Sequence, residues 1–429
     1  MRVVYITAGA GGMYCGACCR DANLAHELVA RGCDVQFIPL YTPLKLERDA
    51  PPGTTRTFFG GINVYLQQHI PIFRHTPRPL DRLLDSRPLL NWASKFAVQT
   101  RAETLGPMTL SMLRGKEGRQ RKELGRLLDF LEAQLRPDVV NITNMLLSGI
   151  VPALKERLPV PVVCTVQGED DFVRDMPEPY CSQVRDLMRK NAREIELFIS
   201  PSGAYVAKMA EFLDVPRETI KVVPTGIDVD KYPSAPSRPR DPFTVGYLSR
   251  ITPGKGLDVL VEAVAILVGE QKRNVRLNVG GQILDRKFWR RVRGAVKRAS
   301  LTACFSYSDA PDLRSKVTFL QGCSAFAQPS RSAEVRATAA IEAMAVGVPV
   351  VVPDLGVFPE IIEQTEGGVL FPPGDAERMA EELAALMDKP EKADALGLAA
   401  RRAIRIHYSA AAMADRTLEL YASLRRRGE

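Results

Sequence analysis

The sequence predicts an α/β protein made of two doubly wound parallel sheets, each in a Rossmann-like domain facing a central cleft. Three observations carry this. Short apolar, β-branched runs recur with helical stretches between them. Those of them that read as apolar throughout suit parallel strands covered on both faces. The alternation stops once, near residue 226, and then starts again, which implies two right-handed βαβ sheets and not one.

The first domain is expected over residues 1–225. "RVVYIT" is its first strand, a Gly-rich turn and a helix follow, and "DVQFIPL" is the second strand. Residues 43–135 interrupt the pattern. "GGINVY" lies in this stretch and is expected to help shape an acceptor pocket. "LRGKEGRQRKELGRLLDFLEAQL" reads as one helix with a solvated charged face. The strands resume with "DVVNIT", "PVVCTVQ", "LFISPS" and "IKVVPTG". Residues 226–242, "GIDVDKYPSAPSRPRDP", are rich in Pro, Ser and charge and read as a linker. The second domain, 243–410, contributes "FTVGYLSR", "VRLNVGG", "ACFSYS", "AFAQPS", "PVVVPD" and "GVLFPP". A last helix over 411–429 is expected to pack back on the first domain. Ligands of such sheets bind at the carboxyl edge of the strands.

Composition narrows the classes. The chain has 429 residues, 45% hydrophobic and 25% charged, which suits two globular cores. No apolar run nears the roughly 18 residues of a membrane span. The start reads as a buried strand and not as a signal peptide. Eight scattered Cys fit a reducing, cytoplasmic setting. The net charge of +8 fits either a solvated basic surface or an anionic partner. Basic and aromatic residues do not interleave as a nucleic-acid platform requires.

The richest stretch is "PSRSAEVRATAAIEAMAVGVPVVVPD". A strand ends at Pro329–Ser330, and a helix is expected to begin near Arg336 or Ala337. Glu334 then lies in the loop, and Glu342 about two turns into the helix. The helix start offers free N–H groups and partial positive charge. Small residues there, Ala337 and Thr338, let a ligand approach the backbone. A phosphate with hydroxyl groups on either side fits this arrangement, although a surface acid and an ordinary helix residue explain the pair alone almost as well. "GYLSRITPGKGLDVLVEAV" adds Arg250 at a strand end and Lys255 on the next turn, two cations suited to a diphosphate, although a solvated basic loop explains them alone equally well.

The Gly-rich first turn, with Gly11 and Gly12, fits neither a strict dinucleotide fingerprint nor a Walker loop. Cys15, Cys18 and Cys19 form CxxCC without a second CxxC, so packing in a tight turn is favoured over zinc or redox chemistry. "ILDRKFWRRVRGAVKRAS" reads as a packed helix with a solvated basic face in preference to a membrane anchor.

Together these residues resemble the retaining nucleotide-sugar glycosyltransferases of family four. The resemblance rests on Glu334-x7-Glu342 with "EAMAVGVPVV", on Arg250 with Lys255, and on "VPTGIDVDKY". It implies the GT-B fold and transfer of a sugar from a nucleotide diphosphate donor with retained configuration. By the same resemblance, Arg250 and Lys255 hold the diphosphate, Glu342 the ribose, and Glu334 the donor sugar. Gly11, Gly12, Arg336, Ala337 and Thr338 are expected on the donor side, and Asn144, Gln167 and Asp170 on the acceptor side. The chain departs from the family pattern in two places. "NITN" and "TVQGEDD" stand where many members carry His, and Val335, Arg336 and Ala337 stand where many carry Pro-Phe-Gly. No cofactor and no obligatory metal are implied, the nucleotide diphosphate sugar being a co-substrate. The acceptor is expected to be a carbohydrate, a lipid-linked molecule or a small molecule, with no nucleic-acid partner and peripheral membrane contact left open. A sugar-nucleotide epimerase and a non-catalytic sugar-nucleotide binder are the rival readings.

Overall fold

The computed structural model describes residues 1–8, 16–40, 66–68, 70–74, 102–234, 238–309 and 312–426. Gly11, Gly12, Cys15 and "GGINVY" lie outside the described residues. The chain divides into two units, Met1–Pro224 with Met413–Glu429, and Thr225–Ala412.

The first unit contains β1 (Arg2–Thr7), β2 (Asp34–Pro39), β3 (Val139–Ile142), β4 (Val162–Thr165), β5 (Leu197–Ser200) and β6 (Ile220–Val222). They form one parallel sheet in the order β2-β1-β3-β4-β5-β6. Val3, Val4, Tyr5 and Ile6 are all fully buried, which explains why the first strand carries no polar alternation. The C-terminal helix, Ala410–Arg426, sends Met413, Ala414, Tyr421 and Leu424 into the same core as Val3, Tyr5 and Val139. Asn141 Nδ2 donates to the Tyr421 hydroxyl at 2.6 Å, so a buried polar contact on β3 fixes that helix.

The second unit contains β7 (Phe243–Leu248), β8 (Val275–Gly280), β9 (Phe305–Ser308), β10 (Ala325–Ala327), β11 (Val350–Pro353) and β12 (Gly368–Phe371). Its parallel sheet runs β12-β11-β10-β7-β8-β9. Successive side chains serve opposite cores. Val351 joins Val245, Tyr247 and Val279 on one face, while Val350 and Val352 join Phe326, Ile341 and Met344 on the other.

Three local expectations change. Residues 226–242 read as a linker, but the described part of this stretch packs as part of the second unit. Ile227 pairs with Ser409, and Tyr232 is 3% exposed. The segment 113–135 is not one helix. A 3-10 turn at Gly115–Glu117 precedes the α-helix Arg121–Phe130, and Gly115, with φ 55, interrupts the helical path. The helix after β10 begins at Thr338 and ends at Ala345, so Glu342 is its fifth residue, little more than one turn in.

Candidate active site

Sheet order creates the site in the second unit. From β7 the chain moves outward to β8 and β9, then returns to the other side of β7 as β10. The crevice of a doubly wound sheet opens where the order reverses, here between the loops that follow β7 and β10.

Those two loops are fastened to each other. Gly256 sits at φ 69, and a Cβ there would lie 1.7 Å from the Pro329 carbonyl oxygen, so only glycine permits this approach. The Arg331 N–H donates to the Gly254 carbonyl at 2.9 Å. The Tyr247 hydroxyl, from β7, donates to the Lys255 carbonyl at 3.3 Å. Lys255 is thereby held so that its ammonium pairs with Glu334 Oε1. Ser330 Oγ donates to the same carboxylate oxygen at 2.6 Å. Behind Glu334 stands Gly356, φ 64, whose absent Cβ would lie 2.6 Å from the Glu334 backbone N and O. The Val357 N–H donates to the Glu334 carbonyl at 2.9 Å.

The Lys255 and Glu334 side chains are only 18% and 12% exposed. Burial pushes the Glu334 carboxyl up. The adjacent Lys255 ammonium, with hydrogen bonds from Ser330 and Gln328, outweighs that and holds it below the usual carboxylate range. Glu334 is thus an anion at neutral pH in a largely dry position. Arg250, two residues beyond β7, is exposed.

Glu342 is held separately. Its Oε1 accepts from the Tyr232 hydroxyl at 2.8 Å and from Lys316 Nζ at 2.6 Å. The carboxylate is 7% exposed and Lys316 16%. Lys316 also lines a cavity of about 470 Å³ with Leu248, Ser308, Asp309, Arg314 and Phe319, at the carboxyl ends of β7 and β9. Between Glu334 and Glu342, Ala337 adopts φ 46 and ψ 38 immediately before the helix. Arg336 and Thr338 are half-buried on either side of it. The first N–H groups of that helix have no carbonyl within it to bond.

Tyr232 and Lys316, which hold Glu342, are candidate site residues that the sequence alone does not single out. Tyr232 closes the "GIDVDKY" motif, and that was its only signal. Lys316 lies in "LRSKVTFLQ", where nothing local distinguishes it.

In the first unit, the order reverses between β1 and β3. Asn144 follows β3, and its side-chain oxygen caps the next turn by accepting from the Leu146 N–H at 3.0 Å. Gln167 Nε2 donates to the Thr143 carbonyl at 2.9 Å. Asp170, 3% exposed, accepts from the Tyr205 hydroxyl and pairs with Lys208 at 2.5 Å. Glu169, which was not singled out, ties these loops together. Its two oxygens accept from the N–H groups of Met145 at 3.0 Å and Gln167 at 2.6 Å. Burial raises its pKa, against the lowering effect of those bonds. Cys18 is buried, with its sulfur 3.8 Å from Thr7 Oγ1. Among the described residues, no group of His, Cys, Asp and Glu is arranged to hold a metal ion, and no helix is long and apolar enough to cross a membrane.

Two doubly wound parallel sheets, one in each unit, are the fold of the GT-B class of glycosyltransferase, and comparison with known proteins agrees. The model for a glycosyl transferase 4-like domain matches residues 20–226, and that for glycosyl transferases group 1 matches 228–403. The chain belongs to the family-four type of glycosyltransferase. It is 27% identical over 378 residues to D-inositol 3-phosphate glycosyltransferase of Segniliparus rotundus, covering 82% of this chain and 81% of that protein. A phosphatidyl-myo-inositol mannosyltransferase of Mycobacterium leprae is 28% identical over 203 residues, which span 46% of this chain and about half, 52%, of the relative. Among solved structures, a sucrose-phosphate synthase from Thermosynechococcus elongatus matches with TM-score 0.72 at 16% identity, over 99% of both chains. Anabaena HepE in complex with UDP matches with TM-score 0.68 at 16% identity, over 99% of this chain and 100% of that one. These two likenesses speak to fold alone.

Proposed function

We propose that the second unit binds a nucleoside diphosphate sugar and that the chain transfers the sugar with retention of anomeric configuration. The observation that supports this most is the Lys255–Glu334 pair, fixed between the β7 and β10 loops with Arg250 exposed at the same strand edge. In this reading Arg250, Lys255 and the first N–H groups of helix Thr338–Ala345 neutralise the diphosphate as it leaves. Glu342, held by Tyr232 and Lys316, accepts from the ribose hydroxyls. The cavity beside Lys316 takes the base, and Glu334 faces the donor sugar.

The acceptor hydroxyl attacks the anomeric carbon on the face that the diphosphate leaves. Its proton passes to the departing phosphate oxygen. This route is favoured because Asn144 and Gln167 are amides without useful basicity, and Glu169 and Asp170 are engaged with backbone N–H groups, Tyr205 and Lys208. The Mycobacterium leprae relative's name points to a lipid acceptor for that protein, so a lipid-linked or carbohydrate acceptor is the class to test first. Arg250→Ala is the direct test of the donor assignment. It should leave the unfolding midpoint unchanged and weaken nucleoside diphosphate binding by about 1.5–3 kcal/mol, the usual loss of one charge-assisted contact. Unchanged affinity would remove Arg250 from the site.

A further inference from the structure

Positive charge is concentrated at one place in this chain. Helix Arg286–Arg298, "RKFWRRVRGAVKR", carries seven Lys and Arg and no acid, while the formal charge of all 429 residues is only +8. Without this helix the chain would be nearly neutral. All seven cations are exposed, and none is paired with a carboxylate among the described residues. At 3.6 residues per turn they fall within a single arc of roughly 160°. Phe288, Val292 and Val296, on the opposite side, are 2%, 1% and 3% exposed and belong to the core of the second unit. The apolar face is therefore already covered, and what remains is a convex, purely cationic surface.

Its borders narrow the choice of partner. Trp289, at the edge of the arc, has its ring centroid 4.8 Å from that of Tyr307 and 6.2 Å from that of Phe305, both on β9. The Arg293 guanidinium lies 5.9 Å from the Trp289 ring centroid, and Arg291 lies 5.6 Å from that of Phe288. The aromatic rings are engaged with each other and with arginines, and do not form a ladder open to bases, as single-stranded nucleic acid would need. A broad convex arc of unpaired cations, flanked by an aromatic cluster, is complementary to a continuous layer of anions.

We propose that the exposed face of helix Arg286–Arg298 docks the second unit on an anionic phospholipid bilayer, by charge and without insertion. The proposal is independent of the sugar-transfer reading. Such attraction amounts to a substantial contribution from each basic residue near the surface and fades within a Debye length. The test is co-sedimentation of the full chain with vesicles of phosphatidylcholine alone and of an equimolar phosphatidylcholine–phosphatidylglycerol mixture. The wild-type chain should pellet with the mixed vesicles at low salt, and should stay in solution with phosphatidylcholine or at high salt. The variant Arg290→Glu/Arg293→Glu/Lys297→Glu should show a partition coefficient about a hundredfold lower or less, with its unfolding midpoint and nucleoside diphosphate affinity unchanged. The charge-conserving variant Arg290→Lys/Arg293→Lys/Lys297→Arg should bind as the wild type does. Equal binding to both vesicle types would overturn the proposal, as would full binding by the Glu variant. Release from mixed vesicles by duplex DNA or polyglutamate, at a charge equal to that of the lipid, would assign the face to those polymers instead.

Discussion

Removing the Lys255 ammonium leaves Glu334 in a position built for a paired anion. Breaking a buried pair by deleting one partner costs about 3–5 kcal/mol. The side chains here are 18% and 12% exposed, and Ser330 still donates to the carboxylate. Both facts lower the cost, and we expect about 2–3 kcal/mol for Lys255→Met. If the ion pair carries that loss, replacing Glu334 as well should recover most of it. The assay is denaturant unfolding of the wild type, Lys255→Met, Glu334→Gln and the double variant, analysed as a double-mutant cycle. The cycle should give a coupling of about 2 kcal/mol at neutral pH. Because the folded-state pKa of Glu334 is depressed, its stabilising share is complete above the unfolded carboxylate value of about 4.3. It is lost as the pH falls through the folded value. The coupling should therefore persist through neutral pH and disappear only in acid. Additive single effects, within about 0.5 kcal/mol, would mean that the pair does not organise the loop.

Two further outcomes follow from neighbouring residues. Ala337→Gly should be nearly neutral. Relief of a left-handed Ala, worth roughly 1–2 kcal/mol, offsets the lost methyl and the greater freedom of the unfolded chain. Ala340→Gly in the same helix should cost about 1 kcal/mol or more, and equal effects at the two positions in thermal unfolding would contradict the strained geometry. For the two acids, calorimetry should show Glu342→Gln weakening the binding of free nucleoside diphosphate, whereas Glu334→Gln leaves it nearly unchanged and impairs transfer. Equal losses would mean that the two roles are wrongly divided.

The sheets were legible because burial leaves its mark locally. Runs such as "RVVYIT" and "PVVVPD" are apolar through their centres, Val3–Ile6 and Val350–Val352, where every side chain is buried, and each marks a strand in the order in which it occurs. The site was legible only in part. Glu334, Glu342, Arg250 and Lys255 stand out because turn glycines and helix boundaries surround them. The contacts that fix them do not, since Tyr232 meets Glu342 across 110 residues of sequence and Lys316 meets it across 26. Such meetings are products of the strand order, which composition does not encode. The stretch 226–242 shows the same limit from the other side. Its Pro and Ser content reads as linker chemistry, yet Tyr232 is buried by residues far away in the chain. In the first unit, "NITN" and "TVQG" were read for what they lack, whereas the structural weight falls on Glu169, a carboxyl spent on two backbone N–H groups.

Donor hydrolysis tests retaining transfer from a nucleoside diphosphate donor without a known acceptor. The full chain would be incubated with a panel of α-linked uridine, guanosine and adenosine diphosphate sugars, and the first anomer released would be identified by proton NMR before mutarotation. At least one donor should be cleaved, with the α-anomer appearing first. Initial release of the β-anomer, or no turnover and no binding across the panel, would contradict it.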